Sequence, residues 1–155
     1  MKKNERLQNW LREWDSEGHS VFPREYRAYF FCFNTGDYYE SHDVLEHLWL
    51  QCTDGNRSFY QALIQFAGGF VHLQKHAQFP NHPTHKRRLA PASRLFALAA
   101  KRLTAYPKFH FGLDVAHLLE LCALWSARAL TAEMNAATAV NSPLAAFAPP
   151  NLALR

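Results

Sequence analysis

The sequence predicts an all-α fold: a single-domain compact helical bundle of about five helices, built around an antiparallel helical hairpin. Three observations lead there. Apolar side chains recur every third or fourth position through most of the 155 residues. Few stretches show the β-branched alternation of strands. Gly, Pro, Asp and Asn fall between the periodic stretches, where helices stop and start.

Each element has its own signal. Leu7, Trp10, Leu11 and Trp14 share one helical face, and Gly18 is a stop. Pro23 opens a second helix, since its missing N–H would be unpaired in a first turn. Glu25 suits the positive end of that helix dipole. The aromatic run Tyr26–Phe33 follows, with Gly36 as its left-handed stop. Asp37 and Glu40 have capping-box spacing for a helix reaching about Cys52. Thr53-Asp54-Gly55-Asn56 is a turn. A third helix spans about Arg57 to His76, and Gln78–Thr84 is a loop. A fourth reaches about Leu103, with Pro91 either starting or kinking it. Tyr106-Pro107 breaks it. Asp114 caps a fifth helix to about Ala137, with Leu118, Leu121, Cys122 and Trp125 on one face. The domain thus covers residues 1–138. A Pro-containing tail, 139–155, is extended or poorly ordered unless Phe147 and Leu152 pack back.

The composition narrows the function classes. A content of 48% hydrophobic and 14% aromatic residues supports a real core. No run is long and apolar enough for a membrane span, and the charged start is unlike a secretory signal. Cys32, Cys52 and Cys122 are odd in number and widely spaced, which suits reduced thiols in a cytoplasmic protein. No CxxC pair, Gly-rich phosphate loop or GxSxG elbow is present. Charge is uneven: residues 1–54 carry a net −4, residues 55–113 a net +9 with no acidic side chain, and residues 114–155 a net −1.

The chemistry gathers on two helices. In the second of the hairpin, Tyr38, His42, Leu45 and Trp49 share a face, and Glu46 follows His42 by four. In the helix after it, Gln61, Gln65, Gly68 and His72 fall within about 30° of one line, while Phe59, Leu63, Phe66, Phe70 and Leu73 cover the rest. A helix apolar nearly all round is buried, and buried amides and imidazoles need partners. Gly68 would permit close approach. The economical arrangement sets the Gln61/Gln65/His72 seam against His42 and Glu46.

Three readings stay open. The cluster is a structural hydrogen-bond network. Or His42, Glu46 and His72 hold a divalent metal, two His and one carboxylate being a known ligand set. Or the cluster lines a small-molecule pocket, with His42 or Glu46 as the catalytic base and Tyr38, Trp49, Gln61, Gln65 and His72 as ligand-binding groups. The sequence names no reaction. Trp10, Trp14, Trp49 and Trp125 sit at stripe positions and read as core. Asp43 and His47 form a surface pair, and His76, His82 and His85 decorate a loop.

A different class of function is an interaction module. Lys86-Arg87-Arg88, Arg94, Lys101, Arg102 and Lys108 make the 86–108 region basic, and Arg87, Arg94 and Lys101 recur at helical spacing. Nucleic acid, an acidic partner or a phosphorylated ligand would fit. So would neutralisation of the acidic first third of the same subunit, or of a neighbouring one in a homo-oligomer.

Two blocks carry a family resemblance. They are Phe33-Asn34-Thr35-Gly36-Asp37-Tyr38-Tyr39-Glu40-Ser41-His42-Asp43-Val44-Leu45-Glu46-His47-Leu48-Trp49, and Arg57-Ser58-Phe59-Tyr60-Gln61-Ala62-Leu63-Ile64-Gln65 followed by His72. Together they resemble the "domain of unknown function 309" family of small helical bacterial and archaeal proteins, over about residues 26–105. The resemblance implies a compact all-α domain without an established activity. It places Asn34, Gly36, Glu40, His42, Glu46, Trp49, Arg57, Gln61, Gln65 and His72 at the family's polar motif positions. That adds Asn34, Glu40 and Arg57 to the ligand-binding candidates. Ser41, Asp43 and Ala62 depart from the usual residues, and Gln78–Arg88 looks like an insertion carrying the basic run.

Overall fold

The computed structural model describes residues 5, 8–9, 11–12, 21–79, 88–134 and 142–155. Among these the fold is all-α, with one two-stranded ribbon. Helix α1 covers Arg24–Asn34. Pro23 precedes it as the capping residue, and does not open its first turn. The extended ψ of 147° at Pro23 still lets its carbonyl accept from Arg27 N–H at 3.1 Å. The helix stops as expected at Gly36, whose φ of +81° suits a residue without Cβ. There Gly36 N–H reaches Phe33 O at 3.0 Å and Asp37 N–H reaches Cys32 O at 2.8 Å.

Helix α2 is Tyr38–Gln51 and starts without a side-chain cap. The expected capping box is a correction: the Asp37 carboxylate instead accepts the Thr35 hydroxyl at 3.1 Å. A hydroxyl two residues away captured the acceptor that the helix amides would have used. Helix α3, Arg57–Gln78, runs two residues past the expected His76. Pro91 falls in the first turn of α4, Leu89–Leu103, so it opens that helix and does not kink it. Strands β1 (Phe109–His110) and β2 (Leu113–Asp114) pair antiparallel around Phe111 and Gly112, both at positive φ. Helix α5 is Val115–Met134, and Asp114 Oδ1 accepts from His117 N–H at 3.0 Å, the cap the sequence predicts. A short helix, α6, is Pro143–Ala146.

Consecutive helices pack on one another from α1 to α5, with α3 between α2 and α4, and α6 lies against α3 and α5. Aromatic side chains fill the centre. Phe33 of α1 meets Phe66 and Phe70 of α3 at ring-centroid distances of 5.5 and 5.3 Å. Phe70 also meets Phe96 of α4 and Trp125 of α5 at 5.1 and 4.9 Å. Each such pair contributes about 0.5–1.5 kcal/mol beyond its buried area, and with Tyr38 of α2 at 5.1 Å, Phe70 ties five elements together. The close helix approach falls at Gly69: a Cβ there would lie 2.5 Å from the Phe96 ring, against 3.2 Å from Leu95 at Gly68. The seam glycine singled out from spacing is therefore the less demanding of the two.

The tail returns to the body. Leu152 is buried, and the Asn34 side chain brackets its backbone: Nδ2 donates to Leu152 O and Oδ1 accepts from Leu152 N–H, both at 2.7 Å. Phe147 stays partly exposed, but its ring lies 3.8 Å under the Arg128 guanidinium. So both residues expected to pack back do make contacts with the body. Leu11 is buried in the core, while Leu7, Trp10, Trp14 and Gly18 of the expected first helix lie outside the described residues. So do Pro80, Asn81, His82, Pro83, His85, Lys86, Arg87, Ala137 and Ala139. No described helix is long and apolar enough to cross a membrane.

Candidate functional site

The contacts around α3 fix where its polar seam points. Phe66 and Phe70 face α1. Gly68 abuts Leu95, and His72 Nδ1 meets Arg88 Nη1 at 3.2 Å, so α4 flanks the seam on one side. On the other side Arg57, within about 40° of the seam line, lies with its guanidinium 4.6 Å over the Trp49 ring of α2. The seam is thus the floor of a groove walled by α2 and α4. Gln61, Gln65 and His72 are half-buried on it. This corrects the expectation of a helix buried all round: α1, α2 and α4 cover three sides, and the polar line takes the fourth.

Helix α2 presents its own polar flank to the same side. Its opposite flank is turned to α1, since Ser41 Oγ donates to Tyr29 O at 3.1 Å. The flank carrying Trp49, and with it His42 and Glu46 at helical spacing, therefore borders α3 on the groove side. His42 Nδ1 and Glu46 Oε2 are 3.8 Å apart, wider than a hydrogen bond, with side chains 32% and 41% exposed. The His42 ring also leans on Tyr39, with centroids 5.9 Å apart. Both side chains are partly exposed, although the His42 Nδ1 atom is itself buried.

Two polar atoms of this groove are buried without a hydrogen-bond partner: Gln65 Oε1 and Trp49 Nε1. One is an acceptor and the other a donor. Burial, with Arg88 beside it, holds the His72 imidazole down at about 4, so it is neutral near pH 7. The Arg88 cation beside His72 also opposes a metal ion there. Among the described residues no three His, Cys, Asp or Glu side chains gather as a metal-ligand group, so His42, Glu46 and His72 are not brought together as one.

Three further candidates have structural partners. Asn34 holds the tail at Leu152. Tyr38 is in the core between Phe33 and Phe70, and burial pushes its phenol up to about 12. Arg57 Nη1 donates to Trp49 O at 2.8 Å and Cys52 O at 3.1 Å, closing the end of α2 onto the start of α3. Glu40 is half-buried in the first turn of α2. Cys122 is a buried thiol pushed up to about 12, so it is inert.

Sequence reasoning passed over Ser58. It lines a surface pocket of about 430 Å³ with Leu98, Lys101, Arg102 and Ala105, where the first turn of α3 meets the last turns of α4. Its signal was faint, because Ser58 lies one turn before Gln61 but about 60° off the seam line.

No curated protein and no solved structure matches the chain. The sequence profile of the family described as "Domain of unknown function (DUF309)" matches residues 26–78, which run from α1 through α2 to the end of α3 and include the His42–Glu46 flank and the glutamine seam but not α4.

Proposed function

We propose that the groove between α2 and α4 binds a small polar molecule carrying both hydrogen-bond donors and acceptors. The observation that carries this reading is the pair of unpartnered buried atoms, Gln65 Oε1 and Trp49 Nε1. A buried polar group without a partner costs about 1–3 kcal/mol. A ligand that donates to Gln65 and accepts from Trp49 removes that cost on binding. Neutral His72 adds a further polar contact without charge, and Arg57 floors the Trp49 end. His42 and Glu46, 3.8 Å apart, are the groups we assign to proton transfer if the ligand reacts.

The test is a screen of small polar metabolites by NMR, reading the Gln65 side-chain amide and the His42 and His72 ring signals. Binders should shift these signals together, and Gln65→Leu should abolish the response while leaving thermal stability unchanged or slightly higher. If no compound moves the three signals, and Gln65→Leu only raises stability, the groove is structural and the reading falls.

A further inference from the structure

The pocket at the start of α3 has an unusual electrostatic setting. Its walls are Ser58, Leu98, Lys101, Arg102 and Ala105, none of which belongs to the groove's polar set. A volume of about 430 Å³ is in the range of small-molecule sites. Arg102 Nη1 donates to Ser58 Oγ at 3.2 Å, a neutral partner for a group with five donors. Among the described residues neither Lys101 nor Arg102 has a carboxylate within ion-pair distance. The sequence around them is why: residues 55–113 contain no Asp or Glu.

The start of α3 forms the side of the pocket that carries Ser58. Asn56 precedes α3, and its type normally caps the first-turn amides. Here it does not cap, because Asn56 Oδ1 lies 2.7 Å from His110 Nε2. No side chain caps the amides of the first turn of α3, which includes Ser58, although the Asp54 carboxylate accepts Asn56 N–H at 2.8 Å just before that turn. Tyr106 O–H donates to Gly55 O at 2.7 Å and holds the end of α4 against this turn. Two cations and a hydroxyl meet in one concavity whose remaining wall, Leu98 and Ala105, is apolar.

We propose that this pocket binds a tetrahedral oxyanion of the phosphate type, as the head group of a small phosphomonoester, with Arg102 and Lys101 on the oxyanion, Ser58 donating its hydroxyl, and Leu98 and Ala105 against the organic part. The guanidinium of Arg102 supplies the paired donors that phosphate oxygens favour. The chemistry is shared by free inorganic phosphate and by a phosphorylated metabolite, and Leu98, largely exposed on the rim, is what favours the second. The ordinary role of Lys101 and Arg102, neutralising the C-terminal end of α4, predicts no saturable site.

The experiment is titration of the full chain with inorganic phosphate, phenyl phosphate and phenol at about 0.1 M salt, followed by calorimetry and backbone-amide NMR. Phosphate and phenyl phosphate should saturate and shift Ser58, Phe59 and Arg102 amides, phenyl phosphate more tightly, and phenol should not bind. Arg102→Met should weaken binding by about tenfold or more, and Lys101→Gln by less. Arg94→Gln, which removes an exposed charge elsewhere on α4, should change nothing. If Arg102→Met does not fold, Ser58→Ala and Lys101→Gln carry the comparison. No saturable binding, or equal weakening by Arg94→Gln, would overturn the proposal. So would binding of an oligonucleotide at this turn with no response to either phosphate. Gln65→Leu should leave phosphate binding intact, which separates this site from the groove.

Discussion

The side of α3 that meets α1 and the side that faces the groove handle polar atoms in opposite ways. Towards α1 the hydroxyls are engaged: Tyr29 O–H donates to Leu63 O at 2.6 Å, and Ser41 Oγ donates to Tyr29 O at 3.1 Å. Tyr26 O–H similarly donates to Phe111 O at 2.9 Å. Burial pushes the Tyr26 and Tyr29 phenols above their ordinary range, so these groups stay neutral. Towards the groove, Gln65 Oε1 and Trp49 Nε1 are left without partners. The hydroxyls on the α1 side are satisfied by the fold. The polar atoms left open in a half-buried groove are suited to something that arrives later.

That contrast can be broken by substitution. The largest effect belongs to the α1 side. Phe70→Ala removes a ring shared by α1, α2, α3, α4 and α5, and should cost about 3–5 kcal/mol in urea unfolding. A much smaller loss would mean that the aromatic centre is not what sets stability. Next is Asn34→Ala, which deprives both backbone groups of Leu152 of their partner. It should cost about 1–2 kcal/mol and raise hydrogen exchange at Leu152 and Arg155, with little change at Phe66. Unchanged exchange at Leu152 would show that Leu152 is held by burial alone.

The pH response probes the groove side. The folded His72 imidazole is held near 4, below its ordinary 6.5, so the unfolded chain takes up the proton first. Stability should be complete above about pH 6.5 and fall as pH drops towards 4. His76 and His110, also lowered by burial, act in the same direction. With allowance for solvent at a half-exposed ring, His72 should account for about 1–2 kcal/mol of that loss. His72→Gln should flatten this part of the curve, and an unaltered slope would assign it to the other two rings. The smallest effect is the null or slightly positive stability change of Gln65→Leu, which gives the comparison its sharpest form: a buried polar side chain whose removal costs the fold nothing.

Much of this was legible in local spacing. Gly36 and Asp114 marked a stop and a start because each acts within three or four residues of itself. The seam was legible because a 100° step needs only the sequence. Asp37 misled, since Thr35 competed for the same carboxylate and spacing does not rank the competitors. Asn34 read as a ligand contact because its partner lies 118 residues away. The Ser58 pocket was hidden for the same reason. It needs α4 laid against α3, and no window of sequence contains both.

The bracket that Asn34 places around Leu152 closes a circuit through nearly the whole described molecule. Closing so long a loop has a large entropic cost, set against these two hydrogen bonds, the buried leucine, the Arg155 N–H bond to Gly112 O and the Phe147–Arg128 contact. Such a contact is expected to form late in folding and to come undone first. The last dozen residues then behave as a latch with its own equilibrium. Because Asn34 is the final residue of α1, release of the latch also frees the end of that helix, one turn from the start of α2. Asn34, which holds the C-terminal segment, thus lies four residues before the first residue of the helix that carries His42 and Glu46.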